Sequence, residues 1–269
     1  MIILKSAKLL KTGVCAALLG GSIFAGGTMQ TYAHATETVE KVEHTTNKNQ
    51  VNDVSIKQLK PNVWMHTSIG VIGGNRIPAN GLILETSKGL VLIDTPWNDE
   101  LTEQLLQLLK KQFPKKEVTT AIVTHAHDDR VGGMKTLSNK GVKVHSTPLT
   151  ADLAEQQGFK RPLGDLKNVS KLQFGDVKVE TFYPGKGHTE DNIVVWLPQH
   201  KMLFGGCLVK SLDSKSIVQT PGSYVAEWPQ AIKKVSKKYN GIKAVVPGHG
   251  DSGDARLLTH TIDLLKATN

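Results

Sequence analysis

Four times in this chain an apolar run gives way to a sharp turn that carries a side chain able to bind a metal. Ala121-Ile122-Val123 leads into His125-Ala126-His127-Asp128-Asp129. His188 follows Pro184-Gly185-Lys186-Gly187, Cys207 follows Gly205-Gly206, and His249 lies within Pro247-Gly248-His249-Gly250. Imidazole and carboxylate donors at alternate positions, delivered by a strand end into a loop, are what a catalytic metal centre needs. Glycines beside the other three let the backbone turn tightly and approach a neighbour. If these strand ends gather along one edge of packed sheets, six donors meet: His125, His127, Asp129, His188, Cys207 and His249. Singly, each histidine reads as a loop residue with a polar partner, and Cys207 as a small core thiol. Jointly, one thiol and five nitrogen or oxygen donors at the same architectural position point to metal.

The periodicities supply the strands and helices this requires. Strand-like runs occur at Val63-Trp64-Met65-His66, 81–85 and 90–94, then at 118–124, 177–182, 192–197, 201–204 and 242–246. Leu101, Leu105, Leu108, Leu109 and Phe113 repeat at helical spacing until Pro114. Further helices fit 132–140, 150–157, 225–239 and 254–267. The tract 68–80, rich in small residues around Val71 and Ile72, reads as a mobile hairpin loop. Strands and helices in this order, with helix closing each half, predict an α/β fold of two packed sheets with helices outside, in one domain.

The N-terminus differs in kind. Lys5, Lys8 and Lys11 precede a Gly/Ala-rich apolar stretch, followed by Tyr32-Ala33-His34-Ala35. This order predicts a secretory signal peptide over residues 1–35, removed after Ala35, with a polar leader over 36–52 and a folded domain over 53–269. The mature protein is then expected outside the cytoplasm, in a periplasm or the medium, without stable membrane association. The chain carries a net charge of +9, and the signal takes three lysines and no acid with it, leaving +6. The lysines are scattered without interleaved aromatics, which argues against nucleic-acid binding. Cleavage also removes Cys15, so Cys207 has no intramolecular disulfide partner. Nothing in the sequence resembles an oligomerisation element, and a monomer is expected.

His125-Ala126-His127-Asp128-Asp129-Arg130, Gly187-His188-Thr189-Glu190-Asp191-Asn192, Gly206-Cys207-Leu208-Val209-Lys210 and Pro247-Gly248-His249-Gly250 together resemble the metallo-beta-lactamases, first subclass of the class B enzymes. The similarity runs from about Val54 to the C-terminus. It implies a four-layer αββα sandwich and two Zn2+ ions, the first held by His125, His127 and His188, the second by Asp129, Cys207 and His249. Arg130 stands where many relatives with other substrates carry a ligand histidine, and Cys207 supplies the missing donor. The implied reaction is opening of the beta-lactam amide of penicillins, cephalosporins and carbapenems by a metal-bound hydroxide that Asp129 orients. The resemblance further assigns the substrate carboxylate to Lys210, its apolar groups to Val71 and Ile72, and orientation of the site from behind to Asp94. Gln219 departs from the pattern, since close relatives usually carry asparagine near the reacting carbonyl, and it implies an altered substrate profile. Thioester or lactone hydrolysis and zinc binding without turnover are the competing readings, because fold alone does not fix the substrate.

Overall fold

The computed structural model describes residues 53–220 and 222–268. The expected signal peptide and leader lie outside these residues, as does Pro221. The first sheet runs β1 (Val54–Lys60), β2 (Val63–Ile72), β3 (Asn75–Thr86), β4 (Gly89–Ile93), β5 (Val118–Ile122) and β6 (Lys143–His145), in that spatial order. Turns of two residues separate the first four strands, so these pair antiparallel. Helices intervene before β5 and β6, and those strands pair parallel. The second sheet has the order β11 (Ala244–Pro247), β10 (Met202–Gly206), β9 (Val194–Leu197), β8 (Val177–Phe182) and β7 (Val169–Phe174).

Alternation along β3 and β4 shows why two sheets and two helical layers form. Leu82, Leu84, Val91 and Ile93 point between the sheets, against Val179, Val195, Leu197, Phe204 and Val246. Ile83, Leu90 and Leu92 point the other way, onto α1 (Asp99–Gln112) through Leu101, Leu105 and Leu109. A strand buried on both faces must read as a continuous apolar run, and Leu90-Val91-Leu92-Ile93 does. On the far side, Val194, Leu203 and Val245 meet Ile232 and Val235 of α5 (Trp228–Lys238) and Leu258 and Leu265 of α6 (Arg256–Thr268). Each fully buried Leu or Ile contributes roughly 1.5–3 kcal/mol from area removed from water. The expected αββα sandwich is the observed one.

Several boundaries differ from expectation for local reasons. The tract 68–80 is mostly strand: Ser68 pairs with Ala79 and Ile72 with Asn75, leaving only Gly73-Gly74 as the turn. Small residues there lengthen a hairpin rather than forming a loop. The expected helix over 132–140 is two pieces, α2 (Asp128–Val131) and α3 (Met134–Asn139). They break at Gly132-Gly133, where a Cβ on Gly132 would overlap the Trp97 carbonyl. α4 (Pro148–Gln156) starts two residues early because Thr147 caps it, its Oγ1 accepting the Thr150 N–H at 3.1 Å, with Pro148 in the first turn. The edge strands β1, β6 and β7 were not foreseen. β6 has three residues, and every second residue of β7 faces solvent.

Candidate metal centre

The ends of β4 and β5 are fastened together just before the first donors. Asp94, with φ +62°, takes up the left-handed conformation that a short polar side chain tolerates. Its carboxylate accepts the Thr124 N–H at 2.7 Å and the Thr124 hydroxyl at 2.8 Å. His125 follows directly. From the second sheet's side, Asp191 accepts the Ala126 N–H at 2.9 Å, fixing the peptide between His125 and His127. The His127 carbonyl then opens α2, accepting from Arg130 and Val131, so that Asp129 and Arg130 lie on one helical turn. The other donors come from the ends of β10 and β11. Gly206 turns the chain at φ +54°, and a Cβ on Gly248 would lie 2.7 Å from both the backbone nitrogen and Sγ of Cys207. Only glycine permits that approach.

The six predicted donors converge. The His125, His127 and His188 rings form an edge-to-face trio with centroids 4.8, 4.9 and 5.1 Å apart, and His188 Nε2 is 3.2 Å from His127 Nδ1. His125 Nε2 is buried with no hydrogen-bond partner. Beside the trio, Asp129 Oδ2 is 3.2 Å from His249 Nε2, while Cys207 Sγ is 3.4 Å from Asp129 Oδ2 and 3.3 Å from His249 Nε2. His249 Nδ1 lies 2.7 Å from the Pro78 carbonyl, which can only accept. That contact keeps a proton on Nδ1 and directs Nε2 toward the cluster. His125, His188 and Cys207 also fall within 4.8 Å of one another, so the two triples adjoin.

Arg130 balances the charge. It is fully buried and donates to Asn80 and Gly248 carbonyls, to Asp94 at 3.2 Å, to Asp129 at 2.6 Å and to Cys207 Sγ at 3.0 Å. Burial pushes the Asp129 carboxyl up, but Arg130 and His249 outweigh it and hold Asp129 well below its ordinary range. Asp94 is pushed up to about 7 by burial, which Arg130 and Thr124 only partly offset. Burial, with repulsion from His127 for His125 and from His125 and Lys210 for His188, depresses both rings well below the usual imidazole value, so both are neutral and can offer a lone pair. For His249 burial acts downward as well, yet Cys207 and Asp129 raise it to about 10. Without metal, the Asp/Cys/His triple therefore attracts positive charge.

His127, Asp129, His188 and His249 open onto a cleft of about 460 Å³. Lys210 and Ile72 line it, whereas Val71 is 64% exposed beside it on the same hairpin. Gln219 is exposed, and Val218 and Thr220 line that side of the cleft instead. The sequence reading missed Ile77 and Trp97, which add apolar wall, and Asp191. Trp97 lies three residues past Asp94, and no periodicity points it at the cleft. Asp191 was visible within the run following His188, but its partner Ala126 is 65 residues away.

Two adjoining sets of metal donors at one edge of an αββα sandwich define a metallohydrolase class. A family model described as the metallo-beta-lactamase superfamily matches residues 74–249, and the chain belongs to that family. It is 55% identical over 258 residues to a metallo-beta-lactamase type 2 of Bacillus cereus, covering 96% of this chain and 98% of the relative. To the protein of the same description from Bacillus sp. (strain 170) it is 51% identical, covering 98% and 100%. Among solved structures, a metallo-beta-lactamase from Pontibacter korlensis matches with a TM-score of 0.76 and 41% identity, over 79% of this chain and 99% of that one. The family binds zinc, and the donors fit it: borderline-soft nitrogen and sulfur ligands with one carboxylate, two buried imidazole nitrogens lacking any other partner, His125 Nε2 and His188 Nδ1, and a counter-charge in Arg130.

Proposed function

We infer that this protein is an exported beta-lactamase that works with two zinc ions, one for each donor triple. The observation that carries the reading is the pair of adjoining triples beneath one cleft that also holds a cation, Lys210. His125, His127 and His188 would hold the first ion, and Asp129, Cys207 and His249 the second. Bound zinc brings the pKa of a water to roughly neutral and polarises the amide carbonyl as a Lewis acid. The chain's own side chains do the rest. Asp129, kept ionised by Arg130, accepts a hydrogen bond from the attacking water and so orients it. Lys210 pairs with the substrate carboxylate, while Ile72 and Val71 on the β2–β3 hairpin cover its apolar groups. Asp94 and Arg130 hold the strand ends and donors in place. Gln219, at the exposed rim, tunes preference among substrates.

The relatives support this reading. One matched structure, with a TM-score of 0.75 and 35% identity, is a metallo-beta-lactamase exposed to ceftazidime. Another, from Pseudomonas aeruginosa, with a TM-score of 0.74 and 32% identity, is in a mono-zinc form. Residues 1–35 act as the export signal, 36–52 as a leader and 53–269 as a monomeric catalytic domain. Among the described residues no helix is long and apolar enough to cross a membrane.

The test is hydrolysis of a penicillin, a cephalosporin and a carbapenem by residues 36–269, with bound zinc counted and a chelator control. Chelator-sensitive ring opening with two zincs per chain is the expected result. Two zincs without ring opening would reject the lactamase and turn attention to thioesters and lactones.

A further inference from the structure

Trp228, the first residue of α5, is fully buried behind the metal centre and touches three parts of it. Its indole N–H donates to the Leu208 carbonyl at 2.7 Å, one residue past Cys207. Its ring lies 5.6 Å from the His188 ring. The Lys210 Nζ stands 5.3 Å from its centroid. A Cβ on Gly187 would come within 3.2 Å of the indole, so the His188 turn closes directly over it.

Lys210 differs from the other lysines that meet aromatic rings. Lys186 and Lys238 reach Tyr224 and Phe182, but each also pairs with a carboxylate, Glu190 and Glu180 respectively. Among the described residues Lys210 has no carboxylate partner, and the ring face of Trp228 is the contact that its ammonium makes. A lysine on a four-carbon stem loses rotamer freedom when it binds an anion, unless something has already fixed it. An indole face attracts a cation without neutralising it, so a lysine held there stays available to an incoming anion.

We propose that Trp228 is a positioning residue: its ring face holds the Lys210 ammonium ready for the substrate carboxylate, and its N–H fixes the turn that carries Cys207. This rests on the reading of Lys210 as the carboxylate's partner. One side chain then couples the anchor of the substrate to a ligand of the metal.

Ring-fluorinated tryptophans installed at position 228 keep the shape and the N–H while draining electron density from the face. KM is measured for a beta-lactam bearing its free carboxylate and for the methyl ester of the same compound. The expected result is a KM for the acid that climbs with each fluorine, reaching about three- to tenfold, with the ester unaffected. A purely structural role would move both compounds alike, and that outcome, or no change, overturns the proposal. Lys210→Ala is run alongside. Should it fail to discriminate acid from ester, the reading of Lys210 falls and takes the proposal with it; should it discriminate while fluorination does nothing, only the role of Trp228 falls. Trp228→Phe keeps a ring face and removes the N–H. It is expected to shift the thiolate-to-metal absorption of the cobalt-substituted protein, and an unshifted band would refute the fixing of the Cys207 turn.

Discussion

Replacing Arg130 with methionine preserves much of the apolar stem and removes the guanidinium. Arg130 makes five hydrogen bonds, to two carboxylates, a sulfur and two carbonyls. The side chains of its ion-pair partners Asp94 and Asp129 are 0% and 6% exposed, so solvent cannot take over its role. Removing one member of a buried pair leaves the other charge uncompensated, at a cost of about 3–5 kcal/mol. With an m value of about 3 kcal/mol/M in urea, the unfolding midpoint of the metal-free protein should fall by about 1–1.7 M. The loss depends on pH. Asp129 has its folded pKa lowered below the ordinary 3.8 by Arg130, so its stabilisation is complete above that value and disappears as pH falls through the lower folded pKa. The difference between Arg130→Met and wild type should therefore shrink in acid. Zinc should shrink it too, because a cation bound by Asp129 and Cys207 supplies the missing positive charge. Arg130→Lys should lie between the two, since an ammonium has three donors for five acceptors. Urea titrations of the metal-free and zinc-loaded proteins at two pH values measure all of this. A midpoint shift under about 0.3 M for metal-free Arg130→Met would refute the view that Arg130 compensates the buried charges.

Cys207→Ser should weaken the proposed second zinc selectively, leaving about one zinc per chain after dialysis; unchanged stoichiometry and activity would end the assignment of Cys207. Gly248→Ala should also lower affinity for that zinc, because the new Cβ meets Cys207 at 2.7 Å; metal titration checks it, and wild-type affinity would show that the strand ends can separate without loss. His66 is buried against the Asp94 carbonyl, and burial lowers its pKa from 6.5 to about 4. The folded state thus favours the neutral ring: its contribution is full above pH 6.5 and is lost as pH falls toward 4. His66 by itself accounts for a loss of about 3 kcal/mol over that window, against which the raised Asp94 acts in the opposite direction. His66→Leu should flatten this part of the stability profile, and equal slopes in denaturant titrations would count against it.

The site was more legible than the fold's edges. The six candidate donors that the structure brings together could be picked out because metal chemistry restricts residue types and because glycine marks the turns where the chain must approach itself. Both sheets were visible through apolar runs such as 90–94 and 118–124. The edge strands β1, β6 and β7 were not, since β6 has only three residues and β1 and β7 intersperse lysine, serine and glutamine among too few apolar residues to mark a run. The hairpin at 68–80 was located, but its small residues gave no sign that the ladder continues as far as Ile72 and Asn75.

By itself the sequence marked the candidate donors and the layers through residue type at short range, and its motifs carried the resemblance to the family. Tertiary structure decided how charge and orientation are shared. Arg130 bonds groups 36, 50, 77 and 118 residues away, Asp191 fixes a peptide 65 residues away, and His249 is oriented by a carbonyl 171 residues away. Trp228 meets Lys210 across a ring face whose partner no spacing announces. Such contacts depend on which strand ends meet when the sheets close, and that is a property of the packed core and not of any local run.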